Sequence, residues 1–260
     1  MRMLDNELLL LRREEQRFLR RKAPFSGLDR FREKVPDGLE RVLNRAFRTA
    51  LGYFLGDGAA VIDRTVPSDE ILAEYKEREA AILRELTYES VRRLDKSAAR
   101  SRGTNLAFTA VEGAGLGILG VGLPDIPVFL GMILKTARET ALRYGFDRRT
   151  PWEDSWFLRL ICAGVLGGEE GSALFTEADR LAAALDLRSD EPIAEDLEEM
   201  ISRTADALSA MVLTAKFVQG TAVVGVLGGA FNMIVLDRVE KACAIGCKKR
   251  RLLELSARRR

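Results

Sequence analysis

The run Leu39-Glu40-Arg41-Val42-Leu43-Asn44-Arg45-Ala46-Phe47-Arg48-Thr49-Ala50-Leu51-Gly52-Tyr53-Phe54 settles the fold class. Its apolar side chains fall at Leu39, Val42, Leu43, Ala46, Phe47, Ala50, Leu51 and Phe54. That is the i, i+3, i+4 recurrence of a helix with one wide buried face. The spacing predicts a helix from about 37 to 57, weakened at its end by Gly56 and Gly58. The same period extends to both sides. Leu4 to Lys22 reads as a charged amphipathic helix, broken at Ala23-Pro24-Phe25-Ser26-Gly27. Pro67-Ser68-Asp69-Glu70 opens another, with Ser68 as a cap and acids at the positive end of the dipole, reaching about Leu94. Trp156 to Leu166, Thr176 to Leu187, and a segment opened by Ser189-Asp190-Glu191-Pro192 follow, and the end of the chain is helical at least to Leu255. No stretch alternates as a strand would. The expectation is an all-α protein: a single compact multi-helix domain.

Two segments depart from the ordinary amphipathic pattern. Residues 98–122 lead into Glu112-Gly113-Ala114-Gly115-Leu116-Gly117-Ile118-Leu119-Gly120-Val121-Gly122, and Met211 to Leu236 carries Gly220, Gly225, Gly228 and Gly229. Each glycine inside a helix costs about 1 kcal/mol relative to alanine. Gly113 with Gly117, and Gly225 with Gly229, give the four-residue spacing that lets backbones approach closely. They are the expected packing glycines of two glycine-rich apolar core helices. Pro124-Asp125-Ile126-Pro127 interrupts the first segment, with Pro127 suited to the opening turn of the next helix. Phe217 to Leu236 has the length of a membrane span and no charge, so both a buried helix and insertion into lipid stay open.

Composition excludes much chemistry. The 260 residues contain no histidine, so serine and cysteine triads that need an imidazole cannot be assembled from this chain. No Walker sequence, GxGxxG order or zinc spacing occurs, and no cofactor is expected. Cys162, Cys243 and Cys247 do not make a disulfide framework, and small apolar core positions are their expected role. No secretory signal stands at the N-terminus, so a cytoplasmic location is expected. Glu112, Asp125 and Asn232 are the polar exceptions in apolar surroundings, and form a candidate polar cluster. Asp125 also has the setting of a helix cap.

The net charge of +2 hides segregation. Residues 12–34 carry nine basic and four acidic side chains, 176–206 carry ten acidic and three basic, and 238–260 carry nine basic and two acidic. Lys248, Lys249, Arg250 and Arg251 are candidate contacts to anionic lipid heads; a solvated helix end is the other reading. Stacking aromatics are absent nearby, so no nucleic-acid partner is expected.

Glu112-Gly113 with its glycine run, Leu123-Pro124-Asp125-Ile126-Pro127 and Tyr144-Gly145-Phe146-Asp147 carry a resemblance, continued by Lys216, Gly225 to Asn232, Arg238 and Ala242. In these the chain resembles the EcsC family of bacterial proteins over roughly residues 10 to 250. The family often has a second tyrosine where this chain has Phe146. The resemblance supplies no catalytic residue. Its namesake is encoded beside the subunits of an ABC transporter, which implies work at the inner membrane face. Three units are expected: an N-terminal amphipathic helix over 1–25, a helical domain over 26–247, and a basic tail over 248–260. The functional expectation is a non-catalytic accessory or scaffold protein, peripheral on the cytoplasmic membrane face, whose partner is the anionic surface or a membrane-protein complex. The alternative is a carboxylate-based hydrolase or small apolar ligand binder with a pocket near Glu112 and Asp125. An interaction module using the acidic stretch Glu177 to Asp206 is a third reading. Oligomeric state is not legible.

Overall fold

A computed structural model of the chain describes residues 2–20, 38–96, 125–186, 194–218 and 229–258. Ten helices account for nearly all of them, with no strand among the described residues. They are α1 (Arg2–Arg20), α2 (Leu39–Leu55), α3 (Ala59–Arg64), α4 (Ser68–Arg84), α5 (Tyr88–Lys96), α6 (Asp125–Arg143), α7 (Pro151–Leu166), α8 (Gly168–Asp186), α9 (Ala194–Val218) and α10 (Gly229–Ala257).

Helix α7 is the axis of the core. Thr150 caps it, its hydroxyl accepting the Glu153 N–H at 3.2 Å, and Pro151 takes the first helical position. From Ser155 to Val165 nearly every side chain is buried, so this helix has neighbours on all sides. Helix α8 packs along it, and the Trp156 indole N–H donates to Ala178 O at 3.0 Å. Helix α9 runs parallel to α7 on another side. Cys162 meets Thr204 at 3.2 Å, and earlier on α7 Ser155 and Arg159 meet Asp196. On a third side α10 comes unusually close. A Cβ on Gly164 would lie 3.0 Å from Arg238 O and 3.2 Å from the Val239 Cα. That close helix approach needs a residue without a side chain.

Helices α6 and α10 start at the same end of the molecule. Phe129 and Phe231 pair at 5.7 Å between ring centroids, Arg143 reaches Glu240, and Arg251 reaches the Tyr144 carbonyl. Helix α1 runs the other way along α10, with Phe18 beside Arg238 and Glu15 beside Lys249. Helix α2 turns its predicted stripe inward: Leu43, Ala46, Phe47, Ala50, Leu51 and Phe54 are all buried against α9 and α6. Burying a leucine or phenylalanine contributes roughly 1.5–3 kcal/mol.

Some boundaries differ from the expected ones. The helix expected from Ser68 to about Leu94 is two helices. It stops at Arg84, and Thr87 and Ser90 cap α5 reciprocally through Ser90 N–H to Thr87 Oγ1 at 3.1 Å and Thr87 N–H to Ser90 Oγ at 3.0 Å. Helix α7 starts five residues before Trp156 because of its Thr150-Pro151 cap. The segment Met211 to Leu236 has its ends in α9 and α10, while Gly220, Gly225 and Gly228 lie outside the described residues. No helix among the described residues is long and apolar enough to cross a membrane.

Candidate functional site

The four-cation run of α10 is internal. Lys248, Lys249, Arg250 and Arg251 are only 7–8% exposed, and the chain runs through them as unbroken helix to Ala257. This differs from the surface tail that the sequence suggests, and the cause is a ring of carboxylates from distant segments. Arg250 makes a bidentate pair with buried Glu153 of α7 at 2.8 and 3.0 Å, and its guanidinium lies over the rings of Phe146 and Trp156 at 4.4 and 5.2 Å. Lys249 bridges Glu15 of α1 at 2.8 Å and Asp179 of α8 at 2.5 Å. Burial pulls the Lys249 ammonium down, but the hydrogen bonds to Asp179 and Glu15 outweigh it and hold the pKa above the usual lysine range. Lys248 lies 3.8 Å from buried Glu7, and Arg251 pairs with Glu254 and approaches Glu79 of α4.

The same cations explain the Tyr144-Gly145-Phe146-Asp147 corner. Arg251 donates from Nε and Nη2 to Tyr144 O at 3.1 and 2.7 Å, which satisfies a carbonyl just beyond the end of α6. Gly145 follows with φ of 80°, a left-handed conformation. Phe146 lies under both Arg250 and Arg251. Asp147 pairs with Arg138 at 2.7 Å.

Several acids of the acidic stretch are likewise paired within the fold, though they stay partly or fully exposed. Glu177 takes Arg203 at 2.9 Å and Arg159 at 3.4 Å, Asp196 takes Arg159 at 2.5 Å, and Asp206 accepts from Asn44. Burial would raise the Asp196 carboxyl, but hydrogen bonds from Arg159 and Ser155 outweigh it and hold it below the ordinary carboxylate range. Ser155 donates to this carboxylate and is wholly buried, so no substrate reaches its hydroxyl. Cys162, Cys243 and Cys247 are buried as expected, and burial pushes all three thiols up, Cys162 to about 11. At neutral pH they stay protonated and are poor nucleophiles.

Of the other sequence candidates, Glu112, Gly113, Gly117 and Gly225 lie outside the described residues. Asp125 is the first residue of α6 and Gly229 the first of α10. Asn232 is half-buried on α10, its Oδ1 buried without a hydrogen-bond partner among the described residues.

The cleft that the structure does show lies elsewhere, between α2, α3, α6 and α7. It has a cavity of about 40 Å³, with Leu55, Ile62, Leu134, Ala137, Leu158 and Ile161 as its apolar floor. Arg138, Arg148, Arg149, Glu153 and Asp154 stand around it. Arg149 pairs with Asp63 at 3.0 Å and donates to Ala59 O, which ties α7's leading loop to α3. Arg138 reaches Asp63 at 3.4 Å. Asp154 has neither an ion pair nor a side-chain hydrogen bond among the described residues. Burial raises its carboxyl to about 6; Arg149 and Arg138 oppose the rise while Glu153 and Asp63 add to it. Sequence reasoning missed it, because an acid in the first turn of a helix reads as a partner of the dipole.

The sign of the Asp154 effect follows from its raised value. Between its ordinary pKa of 3.8 and about 6 the folded protein holds a proton that the unfolded chain has lost. Stability therefore falls as pH rises through that window and is level above it. Asp154→Asn is expected to stabilise the protein at pH 7 by about 1–2 kcal/mol, discounted for partial exposure, with the gain vanishing below about pH 4. Melting temperatures of both proteins across this range check it; an unchanged or lower value for the variant at pH 7 contradicts it.

No curated protein and no solved structure matches the chain. The four buried cations and the Tyr144–Asp147 corner fall within a match of the EcsC protein family to residues 13–252, and the chain belongs to this family.

Proposed function

We propose that the protein is a non-catalytic accessory or scaffold protein at the cytoplasmic face of the membrane, and that the outer face of α1 is its lipid contact. The supporting observation is the composition of that face. Leu4, Glu7, Leu11 and Leu19 point inward and are buried. Asn6, Leu9, Leu10, Arg13, Gln16, Arg17 and Arg20 recur at helical spacing on the outside. Leu9 and Leu10 are 53% and 47% exposed, and no ion pair among the described residues involves Arg13, Arg17 or Arg20. The stripe carries no acid; Asp5 and Glu14 are exposed at its margins.

A basic helix face with protruding leucines suits the boundary between anionic headgroups and acyl chains. Each arginine contributes about 1 kcal/mol near such a surface, so three give reversible, salt-sensitive binding. The buried run Lys248 to Arg251 takes no part. A role beside an ABC transporter belongs to the same proposal through the family resemblance.

Flotation with neutral phosphatidylcholine vesicles, and with vesicles containing phosphatidylglycerol, tests it at low and high salt. The expected result is binding to the anionic vesicles at low salt only, lost in the Arg13→Gln/Arg17→Gln/Arg20→Gln variant. Absence of binding by the wild-type protein at low salt, or equal binding by the variant, overturns it.

A further inference from the structure

We propose that the cleft between α2, α3, α6 and α7 binds a small aliphatic zwitterion, an α-amino acid with a short branched side chain. This site is separate from the α1 face and does not depend on it.

The floor sets the apolar part. Leu55, Ile62, Leu134, Ala137, Leu158 and Ile161 offer a water molecule no hydrogen bond. The cavity of about 40 Å³ exceeds the space one water needs, roughly 10–15 Å³, and an apolar cavity of this kind favours an apolar occupant. It has room for a group of a few carbon atoms such as isopropyl.

The rim sets the polar part. Most of its charges are already matched: Arg138 with Asp147 and Asp63, Arg149 with Asp63, and Glu153 with Arg250. Two remain, of opposite sign, on either side of the Thr150-Pro151 cap. Arg148 is exposed, Asp154 is half-buried, and neither has an ion pair or a side-chain hydrogen bond among the described residues. An ammonium alone would match Asp154 and leave Arg148; a carboxylate alone would do the reverse. A molecule carrying both groups beside a short branched chain meets the half-buried Asp154 with its ammonium and the solvated Arg148 with its carboxylate. A half-buried carboxylate without a partner costs stability, and such unfavourable placements are tolerated where a ligand relieves them.

Titration calorimetry of the full chain at pH 7.5 tests this with three probes: L-valine, isobutylamine (which lacks the carboxylate) and isovalerate (which lacks the ammonium). Valine is expected to bind saturably, with both analogues at least about tenfold weaker. Asp154→Asn and Arg148→Gln are each expected to weaken valine about tenfold or more. Because Asp154→Asn is also expected to melt higher than the wild type, its loss of binding cannot be put down to unfolding. Three results would overturn the assignment: no saturable valine binding by the wild type, affinity unchanged in both variants, or an analogue that binds as tightly as valine.

Discussion

Arg250→Ala is expected to destabilise the protein by about 3–5 kcal/mol, the largest effect of any single substitution among the four buried cations of α10. The reason is asymmetry. Removing the guanidinium leaves Glu153, 4% exposed in the first turn of α7, with its charge buried and its bidentate partner gone. The same change strips the cation from the faces of Phe146 and Trp156, two rings that pack at 6.0 Å across the join of α6 and α7. Urea denaturation followed by circular dichroism reads the loss as a shift in midpoint at constant slope. Native stability is roughly 5–15 kcal/mol, so the variant remains measurable unless the wild type stands at the low end. The double variant Glu153→Leu/Arg250→Met supplies the control. It removes both charges at similar volume, and is expected to recover at least half of what Arg250→Ala loses. If the double variant is as unstable as the single one, the loss comes from packing rather than from an orphaned carboxylate.

Gly145→Ala carries the second largest expected effect, about 2–5 kcal/mol. Two costs add. A residue with a Cβ held at φ of 80° loses about 1–2 kcal/mol against its preferred backbone. The new methyl would also fall 2.4 Å from two carbons of the Tyr75 ring and 2.7 Å from Arg251 Nη2. Forcing atoms into a packed site costs typically 1–3 kcal/mol more. Relief by movement is expensive here, because Arg251 is held by the Tyr144 carbonyl and Glu254 while its guanidinium lies over the Tyr75 ring at 5.1 Å. Gly168→Ala is the comparison: φ there is also positive, at 59°, but no neighbouring atom lies within 4 Å of the added carbon. Its cost should be the backbone part alone. Thermal melts of the two variants separate strain from crowding, and equal losses would show that the Tyr75 contact contributes nothing.

The hydrophobic period made the all-α class legible, and residues such as Phe47, Leu51 and Phe54 are where the α2 stripe places them. Caps were less legible. The break after Arg84 depends on Thr87 and Ser90, whose reciprocal bonds are local but sit inside a continuous polar pattern. The α10 cations were misread for a reason of distance. Lys249 finds Glu15 across 234 residues and Arg250 finds Glu153 across 97, and no window of sequence joins them. The basic and acidic blocks looked like two surfaces, whereas the Lys249–Asp179 pair makes them partly each other's counter-ions inside the fold. Asp154 had no signal at all. Its isolation depends on which neighbouring charges are already taken, and only three-dimensional placement tells that.

The burial of the α10 cations bears on how genetic lesions in that helix should be read. A nonsense or frameshift mutation that removes Lys248, Lys249, Arg250 and Arg251 together leaves Glu15, Glu153 and Asp179 without their bases and Glu7 with Arg92 alone. Such an allele is expected to act as a loss of the folded protein rather than of a surface tail. If the two proposals hold, alleles that separate folding from function are expected among the outward arginines of α1 and around Arg148 and Asp154 of the cleft.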